Sequence, residues 1–185
     1  MRVAAPPRAP ITALGGIAAL LCAPAIGCGP ASWGEATPLA TPDAWRAWDG
    51  DDPFGEPDER YCDPLAWGLE DLGETPTLQI YTTGCPWVTV FQVTLQEVRP
   101  RDRIAVRVFH DPLLGPSGSE ARLGLWLDGD VIWEDAARIP GPSGVLSGEV
   151  AVDRRVPAGS PILFHVDNHG TNSYHLYEIG LKLPD

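Results

Sequence analysis

The chain has 185 residues, with 25 Asp and Glu against 13 Lys and Arg and a formal net charge of -12. A nucleic-acid backbone binds proteins of the opposite sign, so nucleic acid is excluded as a partner. The acidic balance implies solubility and an affinity for cations.

At the start, Arg2 and Arg8 bracket a short positive region, and the run from Ile11 to Ala25 is apolar and uncharged. This is a signal-peptide pattern covering 1–27, too short for a helix that needs roughly 20 apolar residues to cross a bilayer. The run ends in Ala25, Ile26, Gly27 and Cys28, which resembles the lipobox of bacterial lipoproteins. That resemblance implies a diacylglycerol on Cys28 and a membrane partner reached through the lipid. The expected place is the bacterial envelope, at the outer membrane or the cell surface; ordinary secretion is the alternative. Losing both arginines with the signal leaves 11 basic residues against 25 acidic ones, a formal -14, on 158 residues. That length suits one domain with its own core.

From Cys28 to Arg60 the composition is rich in Pro, Gly, Ala, Asp and Glu without a sustained period, which predicts a tether over 28–60. Trp33, Trp45, Trp48 and Phe54 make it more aromatic than a spacer requires, so some of it is expected to dock on the domain. With Cys22 removed and Cys28 lipidated, Cys62 and Cys85 remain. In an oxidising compartment such a pair bonds, for roughly 3 kcal/mol in the chain-entropy model. Two unpaired buried thiols are the alternative.

Beyond Tyr61 the pattern becomes short β-rich runs between Gly and Pro turns. About eight strands are expected, near 77–82, 87–98, 103–110, 121–127, 130–135, 144–153, 161–167 and 174–183. Eight antiparallel strands over 61–185 predict an all-β, two-sheet antiparallel sandwich, most simply a jelly roll. The closing VPAGSPILFHVDNHGTNSYHLYEIGLKL resembles the last hairpin of jelly-roll domains such as bacterial pre-peptidase C-terminal domains and carbohydrate-binding modules. The resemblance implies a non-catalytic binding domain and assigns no functional residue.

In LGLWLDGDVIWED, Asp128 and Gly129 form a hairpin turn that fixes the flanking register. With Trp126 opposite Val131 and Gly124 opposite Trp133, one face carries Arg122, Gly124, Trp126, Val131, Trp133 and Asp135, and the leucines carry the other. Two indoles beside Arg122 and Asp135 suit stacking on a sugar ring or burial of a surface partner. The competing expectation is that the linker covers this face.

All four histidines, His110, His165, His169 and His175, fall in the β-region. His110 and His175, with Asp111 or His169, could meet at a rim and hold zinc or copper, although a hydrogen-bonded histidine is the commoner outcome. Calcium fits the charge, but no ligand series of the EF-hand kind is present. No nucleophile elbow, phosphate loop or paired-carboxylate signature is found, so an enzyme is not expected. Three functions stay open: binding of a glycan or a surface protein through Trp126 and Trp133, metal binding through the histidines, and a purely structural envelope lipoprotein.

Overall fold

A computed structural model describes residues 36–55, 61–73 and 75–182. The expected signal peptide, Cys28 and the remaining parts of the tether lie outside these residues. No helix among the described residues is long and apolar enough to cross a membrane.

The described chain is all β, with eleven strands: β1 (Thr37–Pro38), β2 (Arg46–Ala47), β3 (Trp67–Leu72), β4 (Thr75–Tyr81), β5 (Trp87–Val93), β6 (Arg103–His110), β7 (Ser119–Leu127), β8 (Asp130–Ile139), β9 (Gly144–Ala151), β10 (Pro161–Asp167) and β11 (Ser173–Lys182). One sheet has the order β3-β4-β11-β6-β9, with β1 pairing β11 beyond the end of β4. The other has the order β2-β5-β10-β7-β8. All named pairs are antiparallel. From β4 to β11 the chain changes sheet at every step except the β7–β8 hairpin. That alternation is a jelly roll, which covers each sheet's apolar face with the other's.

Period-2 patterning explains the core. In RIAVRVFH, Ile104, Val106 and Val108 are fully buried, while Arg103 and Arg107 face away from them. Ile162, Phe164 and Val166 of β10 and Leu123, Leu125 and Leu127 of β7 meet them from the other sheet's inner face. Each such side chain contributes roughly 1.5–3 kcal/mol on burial. The eight strands expected from the sequence correspond to β4 to β11. The edge strand β3 and the two-residue strands β1 and β2 were not expected.

Two of the unexpected strands move a boundary. Residues 36–55, expected as tether, are packed on the sandwich. Leu39 and Trp45 lie in its core, Trp45 tilted against Phe164 at 6.4 Å, and β2 pairs with β5. Apolar side chains amid Pro and Gly are what this segment buries, and a composition window averages them away.

Cys62 and Cys85 form a disulfide, fastening the chain before β3 to the turn before β5. At that end of the sandwich a buried amide network fixes the loops. Asn168 Nδ2 donates to Thr82 Oγ1, Asn168 Oδ1 accepts from Tyr174 Oη and Asn172 Nδ2, and Asn172 Oδ1 accepts from the Leu114 amide. The turn between β10 and β11 is thereby held as part of the core's lid, with these side-chain amides satisfied.

Candidate functional site

The shared face expected for Trp126 and Trp133 is not formed. The Asp128-Gly129 turn is present, with φ of 48° and 112°, and Trp126 does oppose Val131. The register then shifts, so that Leu125, not Gly124, opposes Trp133. Ile132 is the extra residue of a bulge, and one extra residue turns every later side chain of β8 to the other face. Trp133 therefore points inward, 8% exposed, against Gly148 of β9, where a Cβ would come within 2.4 Å of its indole nitrogen. Asp135 turns with it, opposite Leu123, while Arg122, Gly124 and Trp126 keep the outer face.

A second bulge, between Leu176 and Glu178 on β11, separates the histidines expected to meet. Tyr174 and Leu176 are buried before it, Ile179 and Leu181 after it, so His175 belongs to the outer face. His175 pairs with Phe109, whereas His110 pairs with the core residue Tyr174. His110 donates from Nδ1 to the carbonyl of its neighbour Asp111, and His169 is exposed beside Asp167 at 3.8 Å. Among the described residues no three His, Cys, Asp or Glu side chains converge as a metal site.

The outer face of the β2-β5-β10-β7-β8 sheet is instead covered by residues 48–55, a strap that continues from β2. Trp48 meets Phe91 edge-on at 5.4 Å. The Phe54 ring stacks on His165 at 4.6 Å and 14°. Its seat exists because residue 124 is glycine: a Cβ there would stand 2.2 Å from the Phe54 ring. The linker thus covers the face offered by Gly124 and His165.

Asp52 fastens the strap. Its Oδ1 accepts from the Phe54 amide at 3.0 Å, and its Oδ2 accepts from Trp87 Nε1 at 3.1 Å and Thr89 Oγ1 at 2.6 Å. Since the Thr89 hydroxyl gives its proton to the carboxylate, it accepts from His165 Nδ1 at 2.8 Å, which assigns that tautomer. His165 also meets the edge of Trp87 at 4.5 Å. Burial drives its pKa from 6.5 down to about 4, against the opposing pull of the Asp52 charge. Next along the strand, burial raises the Asp167 carboxyl, opposed by the charges of His169 and Arg122.

Beside the strap lies a cleft of about 250 Å³. Trp48, Gly50 and Asp52 form one wall, Trp87 and Thr89 of β5 the floor, and Cys62, Pro64 and Trp67 the other wall. All three indoles are half-buried. The disulfide ties the Trp67 wall to the floor, so both sides are held. None of the three was singled out as a site residue from the sequence. The usable signals were an aromatic excess in the supposed tether and a tryptophan five residues after Cys62 and two after Cys85.

No family model matches this chain, and no curated protein matches it. Among solved structures it is similar to TmCBM61 in complex with β-1,4-galactotriose, with a TM-score of 0.42 and 11% identity over 76% of this chain and 88% of that one. It is also similar to the non-crystalline cellulose specific module CBM28, with a TM-score of 0.44 and 9% identity over 63% and 80% of the two chains. A third is the N-terminal cellulose-binding domain of β-1,4-glucanase C from Cellulomonas fimi, with a TM-score of 0.42 and 9% identity over 71% and 99%. These are likenesses of the sandwich, and the functional reading rests on the cleft itself.

Proposed function

We propose that this protein is a non-catalytic glycan-binding sandwich, exported and held in the bacterial envelope by a lipid on Cys28. The observation that carries the binding reading is the cleft in which Trp48, Trp67 and Trp87 surround Asp52 and Thr89. Indole faces stack on the apolar face of a sugar ring, while the remaining lone pairs of a carboxylate accept from its hydroxyl groups. A cleft of about 250 Å³ suits a short stretch of a glycan rather than a whole polymer. The binding surface is thus moved from the Trp126 and Trp133 hairpin to the cleft, because among the described residues the cleft gathers three half-buried indoles while Trp133 is turned into the core.

Trp67 is the residue to test, since Trp87 also fastens Asp52 and Trp48 also covers Phe91. Base stacking on an aromatic ring is worth roughly 1–3 kcal/mol, and a similar stacking loss makes Trp67→Ala weaken binding by about tenfold or more. Calorimetric titration with short oligosaccharides, β-1,4-galactotriose and cello-oligosaccharides among them, is expected to show saturable binding that Trp67→Ala removes without lowering thermal stability to the same degree. Unchanged affinity in a folded Trp67→Ala protein would reject the cleft.

The anchor rests on the sequence around Cys28. Cys28→Ser is expected to abolish labelling by a radioactive fatty acid and to move the protein from the membrane fraction to the soluble one. Retention of label on the variant contradicts a lipid at this position.

A further inference from the structure

The charge around the cleft narrows its ligand class, an inference that rests on the glycan-binding reading. Among the described residues the lining includes no Lys, Arg or His, and Asp52 is its one charged side chain. Its three bonded donors, the Phe54 amide, the Trp87 indole and the Thr89 hydroxyl, are all neutral. Asp49, Asp51 and Asp63 flank lining residues in the chain, and among the described residues no lysine or arginine pairs with any of these four carboxylates. Arg46 of β2 flanks the lining residue Ala47 and gives its guanidinium to the carbonyls of Asp43 and Trp45, so the described flanking residues set three carboxylates against one guanidinium. Three indole faces add a second attraction for positive charge, because their quadrupoles draw a cation above the ring.

We infer that the cleft formed by Trp48, Trp67, Trp87 and Asp52 selects an amine-bearing sugar, a glycan whose units carry a free ammonium group, over the same glycan neutralised by acetylation. The indoles hold the ring, and the ammonium faces an uncompensated carboxylate. Ion pairing at a partly screened surface is salt-dependent, whereas ring stacking is far less so. The two contributions can therefore be separated by ionic strength.

The test is a titration of the purified protein with glucosamine trimer, N-acetylglucosamine trimer and cellotriose, at low salt and again at about 0.5 M sodium chloride, where the screening length falls below about 5 Å. At low salt the amine trimer is expected to bind roughly tenfold more tightly than its acetylated counterpart, with the gap closing at high salt. Replacing the exposed flanking carboxylates together, Asp49→Asn with Asp51→Asn, is expected to shrink the gap while leaving cellotriose affinity in place. Equal affinities for the three trimers, or tighter binding of the acetylated one, overturn the selectivity and leave a neutral-glycan cleft standing. Binding of the amine trimer alone, unchanged by Trp67→Ala, overturns the assignment to this cleft. No binding of any trimer overturns the selectivity and counts against the glycan reading beneath it.

Discussion

Trp133→Ala is expected to destabilise the domain by about 3–5 kcal/mol, the range for removing a large aromatic side chain from a core. The indole sits between Leu125 on its own sheet and Gly148 on the facing one, 8% exposed and part of the main apolar cluster. Gly148 has no side chain to fill the space, and collapse would require the two sheets to approach each other. The transfer cost and the cavity cost therefore both remain. Guanidinium unfolding followed by circular dichroism gives the number. Had Trp133 stood on the outer face beside Trp126, the same truncation would fall within about 0.5 kcal/mol. A small effect at Trp133 thus contradicts the bulge as well as the packing. For comparison, Trp126→Ala removes a half-buried indole from the outer face and is expected to cost clearly less.

That contrast marks where the sequence stops being informative. The alternation of Ile104, Val106 and Val108, or of Ile162, Phe164 and Val166, is read directly, because every inward residue of those strands obeys a period of 2. The Asp128-Gly129 turn is also legible, and it correctly sets the first pairs of its hairpin. A bulge leaves no such mark. Ile132 lies between Val131 and Trp133, three apolar residues of similar β-propensity, and any of them could be the extra one. The bulge falls where the large indole gains most by turning inward against Gly148, a partner 15 residues further on that no local window includes. Tyr177 poses the same problem on β11: the run from Tyr174 to Leu181 accommodates either phase, and the choice decides whether His175 meets His110.

The cleft was illegible for a different reason. Its three indoles come from the strap, the start of an edge strand and the start of β5, and their convergence depends on the disulfide and on Asp52. The edge strand β3 has no buried residue, so it offers no apolar alternation to recognise. β1 and β2 have two residues each and exist only through the strands they pair with. What the sequence did carry was the anomaly of a tether with too many aromatic residues. The structure resolves it: Trp45 enters the core, while Trp48 and Phe54 cover the sheet.

The strap should also make the domain acid-sensitive in a defined window. His165 is held neutral between Phe54 and Trp87, with Nδ1 donating to Thr89, and burial lowers its pKa to about 4 from 6.5. Between these values the unfolded chain binds a proton that the folded chain refuses, so stability rises with pH across the interval. The contribution is fully present above pH 6.5 and is lost as pH falls towards 4. A shift of this size corresponds to about 3 kcal/mol at 1.36 kcal/mol per unit. Other groups titrate nearby with different signs. Arg155 and Arg99 hold the Glu97 carboxyl low, and Lys182 does the same for Glu149, so their pairing weakens only as pH falls below the ordinary carboxylate value of 4.5. Asp167, raised by burial, acts in the opposite direction, because its folded form takes up a proton more readily than the unfolded chain. His165→Gln removes the titration while keeping a side chain able to donate to Thr89. The wild type is therefore expected to lose stability steadily from pH 6.5 to 4.5 in urea unfolding, and His165→Gln to be nearly flat there. Hydrogen exchange over residues 48–55 should accelerate first, since Phe54 of this strap lies directly on the imidazole. Equal pH slopes in the two proteins would show that the proton is accommodated with the strap in place, and that the Asp52 charge compensates His165 more fully than its burial penalises it.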